Sequence, residues 1–121
     1  MQKIKSFTEL NAWKEGHKLV LQIYKIVQKF PNKEQFILTN QILRAAISIT
    51  SNIAEGFGRF NKKEKIQFYY MGQASLVELQ NQLIIARDVN YITFKEFDIL
   101  WDQSVSVHKL ITGLIKSIKG V

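Results

Sequence analysis

The chain has no cysteine and a single proline in 121 residues. The missing cysteines exclude disulfides and thiolate metal sites. The scarcity of proline and of turn-forming clusters argues for helices. No apolar run approaches the roughly 20 residues needed to span a bilayer. The opening MQKIKSFTEL has no apolar signal core. A cytoplasmic chain without membrane association is therefore the expectation. No segment alternates apolar and polar residues for long enough to make a strand. What the chain does have is positive charge: 17 Lys and Arg stand against 10 Asp and Glu, a net +7. That balance favours polyanionic partners without naming one. The length fits one domain, residues 1–121, able to build a core without covalent staples.

Four helices are legible. The first is predicted from Asn11 to Lys29, stopped by Phe30-Pro31, with Ala12, Gly16, Leu19, Val20, Ile23, Ile26, Val27 and Phe30 on its inner face. PNKEQFI then connects, with room for a short helical turn. The second starts near Thr39 and ends in Gly56 and Gly58, residues that suit C-terminal caps. Asn61 followed by Glu64 resembles a capping box for the third, which carries Ile66, Tyr69, Leu76, Leu79, Leu83 and Ala86 and stops near Asn90. Thr93 and Glu96 repeat that signal for the fourth, whose stripe is Phe97, Leu100, Trp101, Val107, Ile111, Leu114, Ile115 and Ile118 and which Gly120 closes. Short connections make neighbouring helices antiparallel, so the predicted fold is all-α, an up-down-up-down antiparallel four-helix bundle. Gly72, Ala74 and Ser75 would allow the third helix a close approach to another.

The stretch Arg44 to Arg59, RAAISITSNIAEGFGR, is the most unusual. At about 100° per residue, Ile42, Ala45, Ala46, Ile49, Ile53 and Phe57 share one face. Arg44, Ser48, Ser51, Asn52, Glu55 and Arg59 take the other, mostly in steps of three or four. A solvated helix face is ordinarily built from long charged residues. Small hydroxyls and an amide between arginines and a glutamate read instead as a polar stripe facing protein, inside the bundle or across a subunit contact. The competing reading is a solvated face that happens to be rich in serine.

QILRAAISITSNIAEGFGR resembles the signature of the 23S rRNA intervening-sequence proteins, small bacterial four-helix bundles. The resemblance extends to KFPNKEQFILT (Lys29 to Thr39) and to ASLVEL (Ala74 to Leu79), where the family usually has glycine in place of Ala74. It covers Phe7 to about Ile115. A related branch comprises the accessory proteins of diversity-generating retroelements, homopentameric rings that work with a reverse transcriptase and nucleic acid. The resemblance thus implies a homo-oligomer, a pentamer by analogy with that branch, and a role linked to nucleic acid. The family's characteristic polar positions fall here on Arg44, Ser48, Asn52, Glu55, Gly56, Arg59, Ser75 and Glu78. Arg44 and Glu55 share a helix face, and Glu78 is a second carboxylate able to meet Arg44 or Arg59. Arg44, Ser48, Asn52, Glu55, Arg59 and Glu78 are therefore expected to form a partly buried network that fixes register or the subunit contact.

Catalysis finds no signature. Glu-x-x-His, needed in pairs by carboxylate-bridged metal bundles, does not occur. His17 and His108 stand alone in their helices. Ser104 and His108 lie one turn apart without an acidic orienter or an oxyanion hole. Gly56-Phe57-Gly58 lacks the Gly-Lys-Ser/Thr ending of a phosphate loop. The expectation is a protein that is no enzyme, with no cofactor, no metal and no small-molecule substrate.

Two basic features remain. Lys14, Lys18, Lys25 and Lys29 fall within about 60° of one another on the first helix. Arg59, Lys62, Lys63 and Lys65 cluster between the second and third, beside Phe57 and Phe60. Such lysines grip phosphates by counterion release, and aromatics beside arginine stack single-stranded bases. The leading expectation is sequence-independent binding of RNA or DNA, multiplied by avidity in a ring. The alternative is a homo-oligomeric adaptor for a protein partner such as a polymerase or reverse transcriptase, its basic residues serving solubility and Phe57 and Phe60 sealing the bundle end.

Overall fold

The computed structural model describes residues 3–120. Helices α1 (Asn11–Ile26), α2 (Leu38–Gly58), α3 (Lys62–Asp88) and α4 (Phe94–Lys119) follow one another, and no strand occurs among the described residues. Three 3₁₀ turns, Phe7–Glu9, Val27–Lys29 and Asn32–Glu34, flank α1 and lead into α2.

The helix ends follow from local chemistry. Ser6 and Glu9 form a capping box on the first 3₁₀ turn, just ahead of α1. α1 keeps α geometry only to Ile26, and the predicted last turn, to Lys29, is 3₁₀. Phe30 then turns extended (φ −71°, ψ 146°), the conformation that a following proline imposes. α3 starts on Asn61, whose side chain accepts from the Glu64 N–H. It ends with Asn90 in the left-handed region (φ 66°), with the Tyr91 N–H reaching back to the Ala86 carbonyl. Thr93 and Glu96 cap α4 reciprocally, and Gly120 closes it at φ 79°.

Gly56 and Gly58 do not cap α2 as expected. The helix runs through both and ends at Arg59, φ −75°. Gly58 faces open space. Gly56 is where α3 comes closest: a Cβ there would lie 2.7 Å from the Tyr69 ring and 3.1 Å from Cβ of Phe68. The missing side chain serves tertiary contact, not chain reversal.

α2 packs on α1 and α3, and α4 also packs on α1 and α3. That order closes a four-helix bundle, up-down-up-down, with α1 and α3 on one diagonal. Each helix contributes fully buried side chains to a common core, among them Leu19, Ile23, Ile49, Leu76, Leu83 and Ile111. None of the helices is long and apolar enough to cross a membrane.

Candidate polar network and nucleic-acid interface

The polar row of α2 divides in two. Ser48 and Asn52 are half-buried against α3. Ser48 Oγ and Ser75 Oγ of α3 lie 2.8 Å apart, and the Asn52 amide donates to the Ser48 carbonyl (2.8 Å) and to Ser48 Oγ (3.1 Å). Short side chains permit this because the backbones are close: a Cβ on Gly72 would sit 3.5 Å from the Ile49 carbonyl. The other half of the row, Ser51, Glu55 and Arg59, is exposed and lines an open depression of about 550 Å³ with Phe7 and Ala54.

The predicted Arg44–Glu55–Arg59–Glu78 network does not close within one chain. Glu55 pairs with Arg59 one turn away at 3.1 Å, both exposed, and the Arg59 guanidinium lies 4.6 Å from the centre of the Phe68 ring. Arg44 is eleven residues from Glu55, about 16 Å along the helix axis, beyond direct reach. Glu78 instead accepts from the Gln82 amide at 3.0 Å. Arg44, Ser48 and Glu78 line one small polar hollow of about 160 Å³ with Gln41 and Ala45, and no ion pair forms across it.

Of the basic residues predicted to act together, some are free and some are held. Lys14, Lys18 and Lys25 stand exposed on the outward face of α1, with no ion pair among the described residues. Lys29 grips both carboxylate oxygens of Glu96 at 2.8 Å. That bond, with the Thr93 N–H donating to the same carboxylate, holds the Glu96 carboxyl below its usual range. At the other cluster Lys62 and Lys63 are exposed. Lys65 donates to the carbonyls of Phe57 (2.6 Å) and Gly56 (3.3 Å). It thereby satisfies the Phe57 carbonyl at the C-terminal end of α2, while the Gly56 carbonyl also accepts the Arg59 N–H at 3.2 Å. Phe57 is half-buried, whereas Phe60 is wholly exposed and does not seal the bundle end.

Two of the residues weighed for catalysis, Ser104 and His17, have structural partners. Ser104 is fully buried, accepts from the Gln80 amide (2.9 Å) and donates to the Trp101 carbonyl (2.6 Å). His17 stacks on Trp13 with ring centres 4.7 Å apart. Among the described residues no three metal-ligating side chains gather.

Two features escape a reading of the core faces alone. Tyr70, Met71, Ala74, Val77, Ile85 and Val89 form a second, exposed apolar face on α3, roughly opposite its buried one. The spacing of Tyr70, Ala74, Val77 and Ile85 in steps of three, four and eight was the available signal. Gln82, by contrast, is buried with its carbonyl oxygen unbonded, which no spacing announces.

A family model described as 23S rRNA-intervening sequence protein matches residues 8–113. Among solved structures, the chain is similar to a protein of unknown function from the S23 ribosomal protein family of Bacteroides thetaiotaomicron. The two are 22% identical, with a TM-score of 0.80 over 87% of this chain and 98% of that one. At this identity the likeness concerns the fold. No curated protein matches.

Proposed function

The chain belongs to the 23S rRNA-intervening sequence protein family, and from that premise we propose that it is a non-catalytic homo-oligomer that binds RNA or DNA without reading sequence. The observation that carries the reading is the row Lys14, Lys18 and Lys25. It is exposed, makes no ion pair among the described residues and is aligned along one helix. Lys62 and Lys63 add two further free cations at the α2–α3 turn. Lysines on a regular surface neutralise phosphates as point charges and make no base-edge contacts that would discriminate sequence. Repetition of the row in an oligomer raises its effective strength.

The test is a fluorescence anisotropy titration of single- and double-stranded RNA and DNA across salt concentration. Five phosphate contacts per copy correspond to a log–log salt slope of roughly −4 to −5 on duplex DNA. Equal affinity for unrelated sequences is the expected result. Absence of binding at about 50 mM salt, where this electrostatic term is strong, overturns the reading.

A second reading has its own observation. Phe60 stands wholly exposed beside Lys62 and Lys63, an arrangement that also suits an adaptor for a protein such as a polymerase. Retention of a defined partner from nuclease-treated lysate, together with failure of the anisotropy titration, favours the adaptor.

A further inference from the structure

We infer that the outer face of the first half of α3, from Phe60 and Lys63 to Ala74, is a platform for unpaired nucleotides, which gives the protein a preference for single strands over duplexes. The inference rests on the nucleic-acid part of the proposed function. It adds a surface separate from the lysine row, because α1 lies on the opposite corner of the bundle.

An open groove of about 540 Å³ lies there, lined by Lys63, Ile66, Gln67, Tyr70, Met71 and Ala74. Lys63, Gln67, Tyr70 and Ala74 follow one another at steps of four, three and four, so they share one helix face. That face turns away from the buried stripe of Tyr69, Leu76, Leu79 and Leu83. Tyr70 and Met71 are 47% and 46% exposed. Phe60, three residues before Lys63, is wholly exposed and packs on no other aromatic ring among the described residues. Two rings thus stand on the surface at one end of α3. From Lys63 to Ala74 the face runs about 16 Å along the axis, the length of roughly four to five nucleotides at the stacked spacing of one strand.

Charge selects the sign of the occupant. Lys63 opens the groove, with Lys62 exposed beside it, and neither forms an ion pair among the described residues. From α4, the Lys119 ammonium donates to the Tyr70 hydroxyl at 2.8 Å and lies 5.3 Å from the centre of its ring. A hydroxyl carries no charge, so Lys119 is placed without being neutralised, unlike Lys29 on Glu96. No carboxylate lines the groove. Glu64 lies about a quarter-turn around α3 from Lys63, and Glu78 lies one turn beyond Ala74. The face therefore attracts anions along its first turns and repels them at its far end.

The aromatic and apolar side chains select its shape. Exposed rings, an aliphatic floor and the Gln67 amide, set among cations, match the parts of an unpaired nucleotide: a flat base with a hydrogen-bonding edge on a charged backbone. Stacking on an aromatic side chain tolerates any sequence, because every base has a π-face. A duplex stacks its bases on one another and turns only their edges to the grooves, so Phe60 and Tyr70 offer it nothing beyond what the lysines do. An acidic peptide meets the lysines, but it has a flat face only where an aromatic residue happens to fall, whereas each nucleotide brings one.

The experiment compares three labelled probes of equal length by anisotropy: a strand of about twelve thymidines, an abasic strand with the same phosphates, and a duplex. The two strands carry equal charge, so the ratio of their affinities isolates what the bases contribute. The wild type is expected to hold the thymidine strand at least tenfold more tightly than the abasic one. Phe60→Ala and Tyr70→Leu should each cut that ratio about fivefold or more, with abasic and duplex affinities within twofold of wild type. The triple variant Lys14→Ala, Lys18→Ala and Lys25→Ala should weaken all three probes and leave the ratio unchanged. A wild-type ratio near one, or a ratio that survives Phe60→Ala and Tyr70→Leu combined, overturns the inference and leaves the nucleic-acid reading standing. Failure of all three probes to bind overturns both. Polyglutamate that displaces the thymidine strand as effectively as an unlabelled thymidine strand assigns the face to acidic protein and overturns the inference. A readout without substitution irradiates the wild-type chain with a strand containing 4-thiothymidine. Crosslinks are expected on peptides between Phe60 and Ala74, and crosslinks confined to α1 overturn the inference.

Discussion

The two basic regions look equivalent as sequence and differ as structure. On α1, Lys14, Lys18 and Lys25 project from a regular helix into solvent and form no ion pair among the described residues. At the α2–α3 turn, Lys65 holds the end of α2 and Arg59 is paired with Glu55. A cation already bonded to protein must break that bond before it can take a phosphate. The turn thus divides its charges between holding the corner together and facing outward, whereas α1 leaves three free along one face. Counting lysines measures attraction to polyanions at long range; partner geometry decides which of them remain available at contact.

The largest effect should come from breaking the turn's close packing. Gly56→Val places a side chain against Tyr69, itself only 2% exposed and unable to withdraw. A loss of about 2–3 kcal/mol, seen as a drop in melting temperature of roughly 10 °C, is expected. Gly58→Ala, in open space two residues on, should be neutral or stabilising by up to about 1 kcal/mol. Equal losses at both glycines would show that the close approach to Tyr69 is not what matters.

The triple substitution Lys14→Ala, Lys18→Ala and Lys25→Ala comes next. Nucleic-acid affinity at about 100 mM salt should fall tenfold or more, and the salt slope should become shallower by roughly three. The melting temperature should hold, because alanine is at least as good a helix former as lysine. Lys65→Ala should do the opposite. It removes donors from the end of α2 and costs about 1 kcal/mol by thermal unfolding, with affinity changed less than twofold. Together these variants separate the two regions, and a large affinity loss for Lys65→Ala would erase the distinction.

The smallest effect concerns Lys29, the held member of the α1 lysines. Glu96 has its carboxyl lowered from 4.5 chiefly by the Lys29 hydrogen bond. A lowered folded-state value adds stability that is present above the unfolded value and disappears as pH falls through the folded one. Glu96→Gln keeps a capping side chain but loses the charge. Its melting temperature should lie slightly below wild type at pH 7, by under about 1 kcal/mol, and the two should converge as pH drops below about 4.5. A difference that persists at pH 3 would assign the effect to packing.

Much of the fold could be read before any coordinates. Asn61, the Thr93–Glu96 pair and Gly120 mark helix ends because capping involves residues a few positions apart. The inner faces were legible because burial follows helical period. The candidate sites were harder. Ser48 and Asn52 were readable as a polar row, but that Ser48 meets Ser75 while Ser51 meets solvent depends on the angle at which α3 lies on α2. The Arg44–Glu55 pairing was drawn from a shared face without regard to distance along the axis. Gly56 was read as a cap because a glycine near a helix end usually is one; the Tyr69 ring beneath it belongs to another helix.

By itself, then, the sequence determined four helices, their ends, their antiparallel order and the face each turns inward, since all of these arise from interactions within a few residues. Tertiary structure alone decided which cations are held, with Lys29 on Glu96 across 67 positions and Lys119 on the Tyr70 hydroxyl, which glycine is a contact, and that α3 keeps a second, exposed apolar face. Those outcomes depend on distances between helices, and such distances are set by packing the whole core at once rather than by any local stretch of chain.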